Sequence, residues 1–280
     1  MATARELANL ALMWDDAVTE ISGVVIASHS TEVSGYPAEN LLDANRQNVF
    51  QSSVTAPTDA YIEFDLLSDV TIKGLAICNH NAETIGADSL TVKTHTSAQG
   101  AGATTTWFSV NTSAFGDDDF FCVPANNVTG RYVRVTLDNP DSSGTQIGRV
   151  FLARSIYDCG TSLRVGAQKG WRSSVEIMET PGGVEHRFSR GSRRKRLSAV
   201  IPNQSGIATI RTQINNLVQH VEVAEKAFIH SWPYGATLGV QSLNSLFGMA
   251  VHARFFGDEY METLQVAQGL EIPFNTIEVL

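Results

Sequence analysis

The chain has 280 residues, 43% of them hydrophobic and 18% charged, and carries a net charge of −9 at pH 7. So low a charged fraction argues against disorder over most of the length, and the length suits two domains or one large β domain. Residues 1–154 hold 8 lysines and arginines against 18 aspartates and glutamates, whereas residues 155–280 hold 12 against 11. The acidic first half disfavours nucleic acid and anionic membranes as partners, and the asymmetry predicts a domain boundary near residue 154.

The first 20 residues are predicted to form an N-terminal arm with a short helix over residues 3–14. Its apolar stripe consists of Leu7, Leu10, Ala11 and Trp14. A helix this short needs a partner, either its own domain or a neighbouring subunit, and both remain open. No basic segment followed by a long apolar stretch indicates a signal peptide, and no apolar run approaches the roughly 20 residues of a membrane span. We therefore expect neither export by a leader nor membrane insertion.

Residues 21–154 are predicted to form an antiparallel β-sandwich. Ile62, Phe64 and Leu66 alternate with polar residues on one strand, and Val133, Val135 and Leu137 do the same on another. Loops rich in Gly, Asn, Asp and Ser separate these runs, as is typical of all-β domains.

Five segments in this region resemble the discoidin, or galactose-binding-like, jelly-roll family in their order along the chain. They are Ile26–Ser28, Tyr36–Asp43, Phe50–Ser52, Tyr61–Leu66 and Arg131–Val135. The resemblance implies a jelly-roll β-sandwich over residues 21–154 and a role in adhesion or ligand binding.

Residues 155–280 are predicted to form a smaller antiparallel sheet with one helix. A hairpin is expected around Thr180–Gly183, and a strand is expected to end at Pro202. Ser205 can cap a helix whose apolar stripe runs from Ile207 to Val221. Strands are expected at 226–232, 246–256, 262–267 and 270–280. This order of elements resembles the sheet-plus-helix domain of tailed-bacteriophage tube and distal-tail proteins, which assemble into rings.

The leading functional hypothesis is a structural protein of a phage tail or baseplate. The second half would form a homo-oligomeric ring in the virion tail, assembled in the host cytoplasm, and contact other tail proteins, while the jelly-roll would bind proteins or cell-surface glycans. The alternative is a carbohydrate-binding, lectin-like protein without catalytic activity. Enzymatic activity is not expected, because the chain has no HExxH, GxSxG, P-loop or dinucleotide-binding motif.

A carbohydrate site needs an aromatic face and a few fixed hydrogen-bonding groups. Candidates on the predicted loops of the jelly-roll are His29, Tyr36, Asn79, His80 and Asn81.

No cofactor is expected, although two acidic segments are considered for calcium, which binds several oxygen ligands. In discoidin-like domains the loop equivalent to residues 39–48 often lines a calcium site, which makes Asp43 the best metal candidate by resemblance. The alternative is an Asx turn in which Asp43 bonds its own backbone. The run Asp117–Asp119 is interpreted as a solvated acidic loop or as a partial calcium site.

Six basic residues fall within ten positions: Arg187, Arg190, Arg193, Arg194, Lys195 and Arg196. They lie between predicted strands in a nearly neutral region, so a nucleic-acid signal is disfavoured. Two interpretations remain, a hairpin arm that meets acidic surface on a neighbouring subunit and a solvated strand face.

Overall fold

The computed structural model describes most of the first 158 residues and separate segments after them. The described ranges are 11–45, 47–98, 100, 102–111, 118–122, 126–158, 168–172, 175–179, 185–189, 194–202, 212–213, 215–217, 219–220, 228–230, 251–255 and 271–278.

The described residues are mainly β-structure. Ten strands precede residue 159: β1 Ala11–Asp16, β2 Val25–His29, β3 Phe50–Ser52, β4 Ala60–Ile72, β5 Gly74–His80, β6 Ser89–His95, β7 Thr104–Asn111, β8 Asp118–Cys122, β9 Val128–Asp138 and β10 Thr145–Asp158. The later strands are β11 Gln168–Arg172, β12 Val175–Glu179, β13 Glu185–Ser189, β14 Arg194–Pro202, β15 Phe228–His230, β16 Val251–Phe255 and β17 Glu271–Glu278. A four-residue helix α1 spans Ala17–Glu20, and a 3₁₀ helix spans Ala38–Leu42.

One layer of the sandwich is an antiparallel five-stranded sheet in the order β2-β4-β9-β6-β7. Along β4, Ile62, Phe64 and Leu66 are fully buried in the core, as their alternation predicts. The intervening Tyr61 and Glu63 therefore project from the opposite, outer face of this sheet, together with their neighbours on β9 and β6.

The other layer is larger, with the order β11-β14-β17-β16-β15-β1-β10-β5-β8 and β3 beside β10 in the described part of the chain. Strand β10 crosses residue 154 without a break, and β1 pairs with both β10 and β15. Strands from both halves of the sequence thus share one sheet. The predicted boundaries of the arm and of the two domains stay predictions.

The predicted helix over residues 3–14 is wrong for its last four residues. Ala11–Trp14 belong to strand β1, where Ala11, Leu12 and Met13 are fully buried. Because both faces of this strand are covered, its side chains are apolar without alternation, and such a short run has no period that separates strand from helix. Residues 3–10 lie outside the described residues.

The main core fills the space between the two layers. Its largest fully buried side chains include Phe50, Phe64, Phe108 and Ile62. A second apolar cluster lies on other positions of β1, β5 and β10 and contains Met13, Ala76, Cys78, Phe151 and Ala153. The large sheet is therefore buried on two faces where these three strands meet.

Several predicted elements of the second half are confirmed. Strands β12 and β13 form an antiparallel hairpin, β14 ends at Pro202, and residues 212, 213, 215–217, 219 and 220 are helical. Strands β15, β16 and β17 fall within three of the four later predicted strands. The turn at 180–183, the cap at Ser205 and the strand at 262–267 lie outside the described residues.

No helix found among the described residues has the length and apolar character needed to cross a membrane.

Candidate functional site

A polar groove of about 260 Å³ lies on the outer face of the five-stranded sheet. Strands β4 and β9 contribute Tyr61, Arg134, Thr136 and Asp138 to its lining. Strands β6 and β7 and the loop between them contribute Lys93, His95, Gly100 and Thr104, and Asp59 precedes β4. The volume is slightly below the range of about 300–1,000 Å³ that is typical of small-ligand sites.

Strand register places these side chains side by side. Tyr61 on β4 pairs with Thr136 on β9, and Arg134 on β9 pairs with Lys93 on β6. His95 on β6 pairs with Thr104 on β7. Because alternate residues of a strand share a face, Lys93 and His95 project from the same side of the sheet, about 7 Å apart along β6.

A buried ion pair forms the floor of the groove. Arg134 Nε donates to Glu63 Oε2 at 3.0 Å, and the Glu63 side chain is fully buried. The backbone N–H of Gly100 donates to the same oxygen at 2.8 Å. These bonds hold the loop between β6 and β7 over the sheet and satisfy the buried charge.

Arg134 also fixes the aromatic ring of the groove. Its guanidinium carbon lies 4.2 Å from the centroid of the Tyr61 ring, a cation–π distance. A Cβ added at Gly100 would lie 3.0 Å from the same guanidinium, so the loop approaches Arg134 as closely as a glycine permits. Tyr61, Arg134 and Gly100 therefore form one packed unit.

His95 is only 5% exposed, although it lines the groove. Its Nδ1 lies 2.9 Å from Thr104 Oγ1, whereas its Nε2 is buried and makes no hydrogen bond. Burial lowers the pKa of His95 below its usual value of 6.5; Glu63 opposes this shift, and Arg134 and Lys93 add to it. The net shift favours the neutral imidazole.

The two carboxylates that line the groove already accept hydrogen bonds. Asp138 Oδ2 accepts from Thr91 Oγ1 at 2.8 Å and from Ser89 Oγ. Asp59 Oδ1 accepts from the backbone N–H of Asn139 at 3.1 Å. Among the ion pairs of the described residues, none includes Lys93, Asp59 or Asp138, so the lining of the groove holds one ammonium and two carboxylates outside ion pairs.

Three of the five predicted carbohydrate-binding residues lie at the end of β5 and make bonds within the fold. Asn81 accepts from Gln146 N at 2.7 Å and donates to Gly144 O at 2.9 Å, and Asn79 accepts from Gln146 Nε2 at 3.2 Å. His80 is 5% exposed, and its Nδ1 lies 3.4 Å from Ala82 N. These side chains hold the loop before β10, and their sugar-binding role stays a prediction.

Of the other two predicted residues, His29 is the last residue of β2, and Tyr36 lies between β2 and the 3₁₀ helix. His29 Nδ1 lies 2.8 Å from Ser30 O, and its ring packs edge-on against Phe50 with centroids 6.1 Å apart. Tyr36 is 43% exposed. Neither residue lines the groove.

Asp43 forms an Asx turn, which was the predicted alternative to metal binding. Its Oδ1 accepts from Asn45 N at 3.0 Å, and its Oδ2 accepts from Asn48 Nδ2 at 2.8 Å. Both carboxylate oxygens therefore have protein partners, and calcium binding there stays a prediction. Of the acidic run 117–119, Asp118 and Asp119 belong to strand β8, and residue 117 lies outside the described residues.

One group of potential metal ligands appears among the described residues. The ligand atoms of Asp15, Glu20 and His220 all lie within 4.8 Å of one another. However, His220 Nε2 is already 2.9 Å from Glu20 Oε2, and Arg154 pairs with Asp15. The cluster is thus satisfied as a set of ion pairs.

The basic run is divided between two strands. Arg187 lies on β13, opposite Ile177, and Arg194, Lys195 and Arg196 begin β14, which pairs with β11. Arg196 also pairs with Ile277 on β17. Arg190 and Arg193 lie outside the described residues, and the predicted role of the run in a subunit interface stays a prediction.

One family model matches part of the first half of the chain. Residues 25–150 match the family model of the F5/8 type C domain. This match bears out the discoidin-like jelly-roll expected from the order of the five sequence segments. The matched residues include the whole lining of the groove, with Tyr61, Lys93, His95 and Arg134.

Solved structures similar to this chain match about half of it. A Ruminococcus gnavus GH29 fucosidase in complex with fucose is 15% identical, with a TM-score of 0.41 over 50% of this chain and 27% of the fucosidase chain. Chitosan-binding module 2 of a Paenibacillus sp. IK-5 chitosanase/glucanase, in complex with chitotriose, is 17% identical, with a TM-score of 0.38 over 50% of this chain and 98% of the module. CBM32-1 from a Clostridium perfringens family 31 glycoside hydrolase is 11% identical, with a TM-score of 0.39 over 48% of this chain and 96% of the module.

No curated protein sequence matches the chain. The comparisons lend no support to a phage tail or baseplate role. That role, the homo-oligomeric ring, the partner tail proteins and the location in a virion tail all stay predictions.

Proposed function

We propose that residues 25–150 form a non-catalytic carbohydrate-binding domain whose ligand occupies the groove on the outer face of the five-stranded sheet. The observation that carries this proposal is the convergence, in one groove, of an aromatic ring and polar side chains from neighbouring strands. The family match supports a binding role for the same residues.

The groove offers the two features that sugar recognition requires. The Tyr61 ring is held in place by Arg134 and supplies an apolar surface for the C–H faces of a pyranose. Lys93, Thr104 and Thr136 supply hydrogen-bonding side chains for hydroxyls of the ligand. Because these groups project from paired strands and not from a long loop, the site is preorganised.

The size of the groove limits the ligand. A volume of about 260 Å³ suits one or two sugar rings, with any further rings outside the groove. We therefore expect modest affinity for monosaccharides and a gain from short oligosaccharides only where extra rings contact the rim.

A glycan screen of the full chain, followed by isothermal titration calorimetry on each hit, tests the proposal. The variant Tyr61→Ser removes the ring of the groove and should weaken binding at least tenfold. Tyr132→Ser is the matched control, since the Tyr132 ring also lies beneath an arginine, with Arg131 at 5.0 Å from its centroid, but does not line the groove.

The control should retain the wild-type dissociation constant. Equal losses in both variants would place the ligand elsewhere on the domain. Absence of binding to every glycan by the folded wild-type chain would refute the proposed function itself.

A further inference from the structure

One carboxylate lies beneath the groove and bonds to residues that line it without lining it itself. The Glu63 side chain is fully buried and is not part of the lining. Its Oε2 accepts from Arg134 Nε at 3.0 Å and from the backbone N–H of Gly100 at 2.8 Å. Its Oε1 accepts from the Ser28 hydroxyl at 3.4 Å. Glu63 on β4 thus bonds both to strand β9 and to the loop between β6 and β7.

Both partners of Glu63 Oε2 belong to the groove. The guanidinium carbon of Arg134 lies 4.2 Å from the centroid of the Tyr61 ring, and a Cβ on Gly100 would lie 3.0 Å from the same guanidinium. Gly100 also has a φ of +69°, a conformation that favours glycine. The orientation of the ring and the position of the loop above the sheet therefore both depend on where Glu63 holds Arg134.

This arrangement orders the aromatic surface before any ligand binds. An arginine side chain has many rotamers, and its planar guanidinium is fixed when it meets a fixed carboxylate. Glu63 is itself held in place, because its neighbours Ile62 and Phe64 on β4 are fully buried in the core. A ligand that binds an already ordered ring and loop loses less affinity to their ordering. The core of the sandwich thus fixes the groove through Glu63.

We infer that Glu63 is a positioning residue for saccharide binding. It acts through Arg134 and Gly100 to hold the Tyr61 ring and the loop in their binding geometry, and it does not touch the ligand. This inference rests on the proposed carbohydrate-binding function. It predicts that loss of a side chain outside the lining weakens glycan binding.

A second ion pair on the same two strands provides a matched control. Asp65 on β4 accepts from Arg131 Nε and Nη2 on β9 at 2.7 and 2.8 Å, and the Arg131 guanidinium carbon lies 5.0 Å from the centroid of the Tyr132 ring. None of these three residues lines the groove. The same combination of carboxylate, arginine and aromatic ring therefore occurs once at the groove and once away from it.

Calorimetric titration of the full chain with a glycan that binds the wild type tests the inference. Glu63→Gln keeps the size of the side chain and removes its charge, and it should weaken binding about tenfold because the ring and loop lose their order. Asp65→Asn removes the matched carboxylate and should keep the wild-type dissociation constant. Circular dichroism and the urea unfolding midpoint establish that each variant is folded.

A glycine pair tests the same link without removing a buried charge, and it decides the question if Glu63→Gln does not fold. Gly100→Ala places a methyl group against the Arg134 guanidinium and should weaken binding several-fold. Gly35→Ala is its control, because Gly35 also has a positive φ, of +90°, and an added Cβ there would have no atom within 4 Å. The control should bind the glycan as tightly as the wild type.

Two further readouts separate positioning from a general effect on the fold. In a double-mutant cycle, Glu63→Gln should weaken binding much less in the Tyr61→Ser background than in the wild type, because its effect passes through the ring. In NMR spectra of the free chain, the ring current of Tyr61 should shift the side-chain protons of Arg134 upfield. Glu63→Gln and Gly100→Ala should reduce that shift, whereas Asp65→Asn and Gly35→Ala should preserve it.

The outcomes distinguish the inference from the function on which it rests. Unchanged affinity in folded Glu63→Gln, with binding still lost in Tyr61→Ser, would overturn the inference and leave the carbohydrate-binding function standing. Equal losses in Glu63→Gln and Asp65→Asn would also overturn the inference, since affinity would then follow the stability of the domain. Absence of binding to every glycan by the folded wild-type chain would overturn both.

Discussion

Arg149 Nη2 donates to Asp16 Oδ2 at 2.9 Å, and the side chains of both residues are almost fully buried. Asp16 also accepts from the backbone N–H groups of Leu152 at 3.0 Å and Val18 at 3.1 Å. Arg149 further donates to the carbonyl oxygen of Ala44 at 2.9 Å. This pair therefore joins strand β1, helix α1 and the loop before β3 to strand β10.

Breaking this pair should strongly destabilise the fold. Asp16→Asn leaves the Arg149 charge buried without a counter-charge, and loss of one partner of a buried pair costs about 3–5 kcal/mol. Asp15→Asn is the matched control, because the neighbouring pair between Asp15 and Arg154 is about a quarter to a third exposed. Asp15→Asn should lower the free energy of unfolding by less than about 1 kcal/mol.

Urea unfolding at pH 7 measures both variants. The prediction requires a large shift of the midpoint for Asp16→Asn at an unchanged slope. Equal shifts for the two variants would show that the buried pair contributes no more than the exposed one.

Asn81 is predicted to affect stability and not glycan affinity. Its side chain bonds Gln146 N and Gly144 O, so Asn81→Ala removes the acceptor of the Gln146 N–H and leaves Gly144 O only the longer bond from Gln51 Nε2 at 3.4 Å. A loss of about 1–3 kcal/mol in unfolding free energy follows. Titration of any glycan that binds the wild type should give an unchanged dissociation constant for the folded variant. A selective loss of affinity at full stability would instead restore the sequence-based assignment of Asn81 to the site.

Much of the five-stranded sheet could be predicted from sequence, because its strands alternate between buried apolar and outward-facing polar residues. Ile62, Phe64 and Leu66 on β4 alternate with polar residues, so the pattern gives both the strand and its core side. Strand β1 lacks this signal because its apolar residues point both ways, and the tertiary contacts of Ala11–Trp14 decide its structure.

The groove could not be predicted in the same way. Tyr61, Lys93 and Arg134 occupy the polar half of three alternating patterns, where a solvent-facing residue and a site residue look the same. They come together only through the register of β4, β9 and β6, which joins residues up to 73 positions apart. Asn79 and Asn81 were predicted as site residues because of their loop position. In the structure their side chains bond to Gln146 and Gly144.

The pair of Asp65 and Arg131 should make stability depend on pH in the acid range. Arg131 donates to both carboxylate oxygens, at 2.7 and 2.8 Å, and these bonds hold the pKa of Asp65 below its ordinary value of 3.8, against the opposing effect of burial. Because the pKa is lower in the folded state, the contribution to stability is present above about pH 4 and is lost as pH falls through the folded pKa.

Carbon-detected NMR titration of the Asp65 carboxyl group tests this cause. Arg131→Gln should raise the pKa of Asp65, and Arg131→Lys should restore only part of the shift, since lysine keeps the charge but not the two-pronged hydrogen bond. Full restoration by lysine would mean that charge alone sets the pKa.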